Sequence, residues 1–126
     1  MNFPENLYYS KEHTWLKVDG TTGTIGITEF AQSELGEIVY VELPNVGQTF
    51  KADEIFGSVE AVKTTSDLFI PVSGNIIAKN DALLKNPELV NSDPFVAAWI
   101  IKIEIDEPSE INNLLNATNY QNLIGI

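Results

Sequence analysis

Among the residues that could do chemistry, Lys63 draws attention first. It sits in "VEAVKTTSDL", where two β-like runs meet. A tight turn between strands normally carries Gly, Asn or Asp at its centre; this one carries a primary amine. A lysine on a rigid apex suits covalent attachment, because a group hung there reaches away from the body while its root stays fixed. The plainer reading is a solvated lysine, which describes most lysines. Two carboxylates, Glu60 and Asp67, flank it. Either they form a recognition patch around a lysine that something must find, or they are solvated acids whose repulsion Lys63 softens.

The remaining inventory narrows the chemistry. The chain has no cysteine and one histidine, His13. Disulfides, thiolate catalysis, Cys-ligated metals and His clusters are therefore excluded, and no nucleophile–base set is present. Carboxylate-only metal sites stay open. A lone histidine beside a strand is more often structural than functional. The net charge is −11, and all seven basic residues are lysines. Such a surface repels nucleic acid and anionic membranes, suits a soluble monomeric carrier, and attracts cationic ligands or basic faces on partners.

The 126 residues amount to one ordinary domain, residues 1–126, and 44% apolar content supplies a real core. No apolar run approaches the length of a membrane span, and "MNFPENLYYSKEH" has neither the basic nor the apolar segment of a signal peptide. The expected location is the cytoplasm, although a processed organellar chain would look the same.

The elements that must position Lys63 read as short strands. "HTWLKVDG" alternates and ends at Asp19-Gly20, with "TTGTIGIT" as the returning strand. "TEFAQSELG" reads as a short helix with Thr28 as N-cap and Gly36 closing it. "IVYVELP" is a strand stopped by Pro44. "DALLKNPELV" should give one or two helical turns with Asp81 as cap. "FVAAWIIKIEI" at 95–105 reads as a buried strand, and the tail from Pro108 as a C-terminal helix with Ser109 as cap. Many short strands separated by turn signals predict an all-β barrel or sandwich with helices as decoration.

A two-residue loop at Lys63-Thr64 would set Val62 opposite Thr65, Val59 opposite Leu68, Gly57 opposite Ile70 and Ile55 opposite Val72. The last three pairs then share one face, whereas a one-residue slip scatters their apolar residues over both. The same register sets Glu60 opposite Asp67, a mildly unfavourable like-charge pair.

"VEAVKTTSDLFIPVSGNI" closely resembles a lipoyl attachment site. "KEHTW", "GTIGITEFAQSELGEIVYVELPNVG", "NPELVNSDPF" and "WIIKI" extend the resemblance, in order, to the H-protein family of the glycine cleavage system, from about Tyr9 to Tyr120. The resemblance implies a lipoyl/biotinyl-type barrel-sandwich hybrid and a carrier rather than an enzyme. It implies lipoic acid in amide linkage on Lys63 and, as partners, the glycine decarboxylase (P protein), the aminomethyltransferase (T protein), dihydrolipoyl dehydrogenase (L protein) and a lipoate-attaching enzyme. Glu60 and Gly47 match family positions tied to recognition by that enzyme, and Asp67 joins them as a neighbour. Gly47 is equally a turn glycine after Asn45-Val46. The family usually shows an acid after the histidine, where this chain has Thr14. It often shows Gly before its tryptophan, where this chain has Val96-Ala97-Ala98. Val62 and Thr64 replace the methionines that flank a biotinyl lysine. Two other roles remain: a lipoyl donor to other dehydrogenase complexes, and an unmodified binding domain of the same fold.

Overall fold

The computed structural model describes residues 1–126. Its strands are β1 (Tyr8–Tyr9), β2 (Thr14–Asp19), β3 (Thr22–Ile27), β4 (Ile38–Glu42), β5 (Thr49–Phe50), β6 (Ile55–Ala61), β7 (Thr65–Phe69), β8 (Gly74–Lys79) and β9 (Ile101–Ile105). Two antiparallel sheets result. One has six strands in the order β1-β2-β3-β9-β8-β5, the other three in the order β4-β6-β7. Alternation along the strands turns one face of each sheet inward. Leu16 and Ile25 of the large sheet and Val41, Val59 and Leu68 of the small one enter a single 19-residue apolar core. The expected mainly β architecture of two sheets with peripheral helices is what forms.

The helix after β3 is α1, Glu29–Leu35, and it begins and ends as the sequence predicts. Thr28 Oγ1 accepts the Ala31 N–H, and Gly36, at φ 83°, donates its N–H to the Gln32 carbonyl. Two one-turn helices follow β8: α2, Ala82–Lys85, and α3, Leu89–Ser92. Asp81 precedes α2, but its side chain makes no capping bond; Asn80 Oδ1 accepts the Ala82 N–H instead.

Three further expectations are corrected. Residues 95–100 are not strand, and β9 begins only at Ile101. Asp93 closes this turn by accepting the N–H groups of Ala97 and Ala98, and the Asn80 amide donates to the carbonyls of Ala97 and Trp99. These polar partners, Asp93 nearby and Asn80 from a distance in sequence, outweigh the strand propensity of the apolar run. The tail is not one helix. Pro108–Asn113 forms a 3-10 turn, Leu115 pairs with Tyr9, and a separate helix α4 runs from Ala117 to Ile124 with Asn116, not Ser109, as its N-cap.

The third correction concerns the β6–β7 hairpin. Gly57 faces Leu68, Ser58 faces Asp67, Val59 faces Ser66 and Glu60 faces Thr65. The apex is Val62-Lys63, with Ala61 donating to the Thr64 carbonyl. The pairing is thus displaced by two residues from the expected one, and Glu60 and Asp67 are diagonal rather than opposed. A two-residue displacement keeps every side chain on its own face, so hydrophobic alternation cannot detect it. A bulge near Phe56 adds a further shift: Phe56 is buried, whereas Ile55 pairs with Phe69 and points to solvent.

Gly57 is where β4 and β6 come closest. A Cβ there would run into the backbone carbonyl oxygen of Glu42, on the strand that pairs beside it. Backbone cannot swing aside as a side chain can. Gly57→Ala is expected to lower stability by about 2 kcal/mol or more, seen as a lower urea midpoint; an unchanged midpoint would show that the β4–β6 approach is not tight.

Candidate functional site

Lys63 stands at the tip of the hairpin, exposed to solvent. Its neighbour Val62 donates its N–H to the Glu37 carbonyl, which ties the apex to the link between α1 and β4. The Lys63 stem crosses Gly36, with Cε 3.4 Å from where a Cβ of residue 36 would be. The platform under it is held by Asn91 of α3. The Asn91 amide donates to the Gly36 carbonyl and to Gln32 Oε1, and its Oδ1 accepts the Ile38 N–H. The Lys63 ammonium is not in an ion pair; the chain's salt bridge is Lys79–Asp81.

A cleft of about 300 Å³ opens beside this platform. Phe30, Glu34 and Leu35 of α1 form one wall, Ser66 to Leu68 of β7 another, and Glu12 and His13 a third. Leu35 is followed directly by Gly36, so the wall runs up to the lysine stem. Three carboxylates, Glu12, Glu34 and Asp67, line the cleft, and no lysine does. The arrangement suits an organic cation on a tether, with apolar surface for its stem. A larger hollow of about 410 Å³ lies on the other side of Glu12, lined by Tyr9, Asp53 and Glu110 among others. The Glu110 carboxylate there is already bonded to Ser73.

His13 is held in an unusual backbone state, φ 68°, which histidine tolerates better than bulky or β-branched residues. Its carbonyl accepts the Thr28 N–H and its Nδ1 lies 2.8 Å from the Tyr120 hydroxyl. Its ring packs on Phe30, with centroids 5.3 Å apart. Burial lowers its pKa from the ordinary 6.5, against the opposing pull of Glu12 and Glu34. Burial likewise raises the Tyr120 hydroxyl.

Lys63, Glu60 and Asp67 lie on one hairpin, Glu60 and Asp67 on its outward face and Asp67 also at the cleft. Gly47 is elsewhere: at φ 95° in the β4–β5 turn, it donates to Ile76 and accepts from Asn75, both of β8. Thr14, which replaces the family's acid, is buried and bonded to Ser10 Oγ and the Phe69 carbonyl. It does not line the cleft; Glu12, two residues earlier, does. Glu12, Glu34 and Tyr120 were not singled out from sequence. Nothing local marks them, because they meet only when α1, α4 and the 10–13 turn pack together.

The sign of His13's contribution to stability follows from its lowered pKa. Between its folded value and 6.5 the unfolded chain binds a proton that the folded one refuses, so stability falls as pH drops through that window and is full above it. His13→Asn, which tolerates the positive φ, removes this component. The stability difference between wild type and variant should shrink from about pH 7.5 to about pH 5.5; a difference constant in thermal melts across that range would contradict it.

The glycine cleavage H-protein family profile matches residues 7–125. A glycine cleavage system H protein of Bacillus cereus (strain AH187) is 55% identical over 120 residues, covering 95% of this chain and 94% of that protein. One of Bacillus anthracis (strain A0248) is 54% identical over the same length. The crystal structure of a glycine cleavage system H protein from Mycobacterium marinum superposes with a TM-score of 0.88 at 34% identity, covering 98% of this chain and 100% of that one. The ordered fold, the apex lysine and these matches over nearly the whole length agree: the chain belongs to the glycine cleavage H-protein family.

Proposed function

We propose that Lys63 is the lipoyl attachment site through which this chain performs the family's role. That role is a lipoyl-bearing, non-catalytic carrier in the glycine cleavage system. The observation that carries the assignment is the lysine's presentation: an exposed amine, outside any ion pair, on a hairpin apex bonded to Glu37, with its stem laid over a glycine. The stem lies at van der Waals distance over residue 36, whose φ of 83° is one that glycine adopts readily, so Gly36 serves as its cradle. When attached, the lipoyl group supplies the disulfide and dithiol chemistry that accepts glycine's aminomethyl group and electrons. What the chain contributes is a fixed root, a cleft and a charge.

The cleft beginning at Leu35 is the shelter for the carried amine. Glu12, Glu34 and Asp67 supply its negative field, and Phe30 and Leu35 its apolar wall. Enclosure excludes water from a cargo that hydrolyses in it. Glu12 takes over the acid lost at Thr14. Tethering on Lys63 gives each partner a raised local concentration of cargo. Those partners are the decarboxylase, the aminomethyltransferase and dihydrolipoyl dehydrogenase, visited in turn by one 126-residue carrier unit.

Glu60, with Asp67 diagonal to it, marks the hairpin for the lipoate-attaching enzyme. Exposed Tyr40, directly opposite Glu60 on β4, and exposed Val62 give that face an apolar edge. Gly47 serves the same recognition only by shaping the β4–β5 turn.

Intact mass after incubation with lipoate and a lipoate ligase tests the assignment. Wild type should gain one lipoyl group and then support glycine–bicarbonate exchange with the decarboxylase, while Lys63→Arg should do neither. Glu60→Gln should slow attachment roughly tenfold, the effect of losing one charged contact. An equal mass shift on Lys63→Arg would place the cofactor elsewhere.

A further inference from the structure

The chain's C-terminal helix reaches the cleft's His13 from behind, through one buried atom. Tyr120 of α4 has no solvent exposure, yet its hydroxyl lies 2.8 Å from His13 Nδ1 and 2.8 Å from Thr28 Oγ1. The three residues come from a turn, a helix cap and a helix 92 and 107 residues further along. Hydrogen accounting fixes the direction of this chain of bonds. Thr28 is also fully buried, and its oxygen already accepts the Ala31 N–H. Its own proton has one remaining acceptor, the Tyr120 oxygen. Tyr120 must then send its proton on to His13 Nδ1, its other partner. A nitrogen that accepts carries no hydrogen, so the His13 proton is on Nε2 and the ring is neutral.

We propose that Tyr120 is a positioning residue for the cleft: its hydroxyl, supplied by Thr28, fixes His13 as the neutral Nε2–H imidazole and so keeps positive charge out of a pocket meant for an organic ammonium. A second proton on His13 would go to Nδ1, opposite the proton of Tyr120. The chain would have to reverse, leaving the buried Thr28 hydroxyl without an acceptor, which is costly. The groups facing His13 are Glu12 on its own turn, Glu34 on α1, Asp67 on β7 and Tyr120 on α4. Burial, together with the Tyr120 bond, opposes a charged ring, while Glu12 and Glu34 favour one. A neutral ring leaves all three carboxylates to the cargo and offers Nε2–H, which no protein group takes up, as a donor. The inference rests on the cleft reading given above for its purpose, but not for its chemistry.

The test is NMR of the His13 ring in lipoate-free protein, using the nitrogen shifts and their couplings to the ring protons. Wild type above its titration should show hydrogen on Nε2. Tyr120→Phe keeps the ring that stacks on Tyr9 at 4.8 Å and packs against Phe3. It should raise the His13 pKa by about one unit and mix the two tautomers. Thr28→Ser, which retains the donor, should behave as wild type. Hydrogen on Nδ1 in the wild type would overturn the proposal, even if Tyr120→Phe failed to fold. So would a folded Tyr120→Phe with unchanged tautomer and titration. Because these spectra need no lipoate, they decide the inference whether or not Lys63 proves to be the attachment site.

Discussion

The hydrogen bond from the Val62 N–H to the Glu37 carbonyl is the contact on which the site's geometry depends. A free hairpin tip is among the most mobile parts of a protein. Here the tip is bonded across to the α1–β4 link, and that link is held in turn by Asn91 and by the pairing of Ile38 with Ala61. Lys63 is therefore mounted on a backbone fixed from both sides. Its stem lies over a glycine and its ammonium is in no ion pair. A carrier needs both properties: a fixed root, and an arm that leaves its resting place without breaking an ion pair.

The cleft is built by elements that have little stability of their own. Helix α1 is seven residues long, too short to persist alone. Its N-cap Thr28 holds it at one end and the Asn91 amide at the other, while Tyr120 ties the cap to His13. The C-terminal helix thus supports the cleft from behind, through His13 and the α1 cap. The same logic explains the polar clusters beside the apolar core. Each buried hydroxyl or amide there has a partner, so its burial fixes geometry rather than leaving an orphaned group.

Acidity is distributed with purpose around the lysine. Asp67 faces the cleft from the diagonal position to Glu60, and Glu12 and Glu34 close it from two other elements. None of them forms a salt bridge. Their field is left for whatever cation enters, and the low count of lysines near the cleft avoids internal competition for it.

Alternation, turn residues and caps carried far in the sequence. Most strands of both sheets (though not the short edge strands β1 and β5), the Thr28–Gly36 helix and the apex placement of Lys63 were legible there, because each is decided by neighbours within a few residues. The resemblance of "VEAVKTTSDL" supplied the proposed use for such a lysine. The exact hairpin pairing was not legible, since registers two residues apart bury the same side chains, and the Val62 bond to the Glu37 carbonyl and the pairing with β4 come from residues distant in sequence. The turn at 94–98 and the break in the C-terminal helix were hidden for the same reason, as Asn80 and Tyr9 act on them from afar. Composition and local pattern determined a β sandwich with one presented amine. Tertiary structure alone brought Glu12, His13, Glu34, Asp67 and Tyr120 together, because a cleft is made by the packing of elements and no single element encodes it.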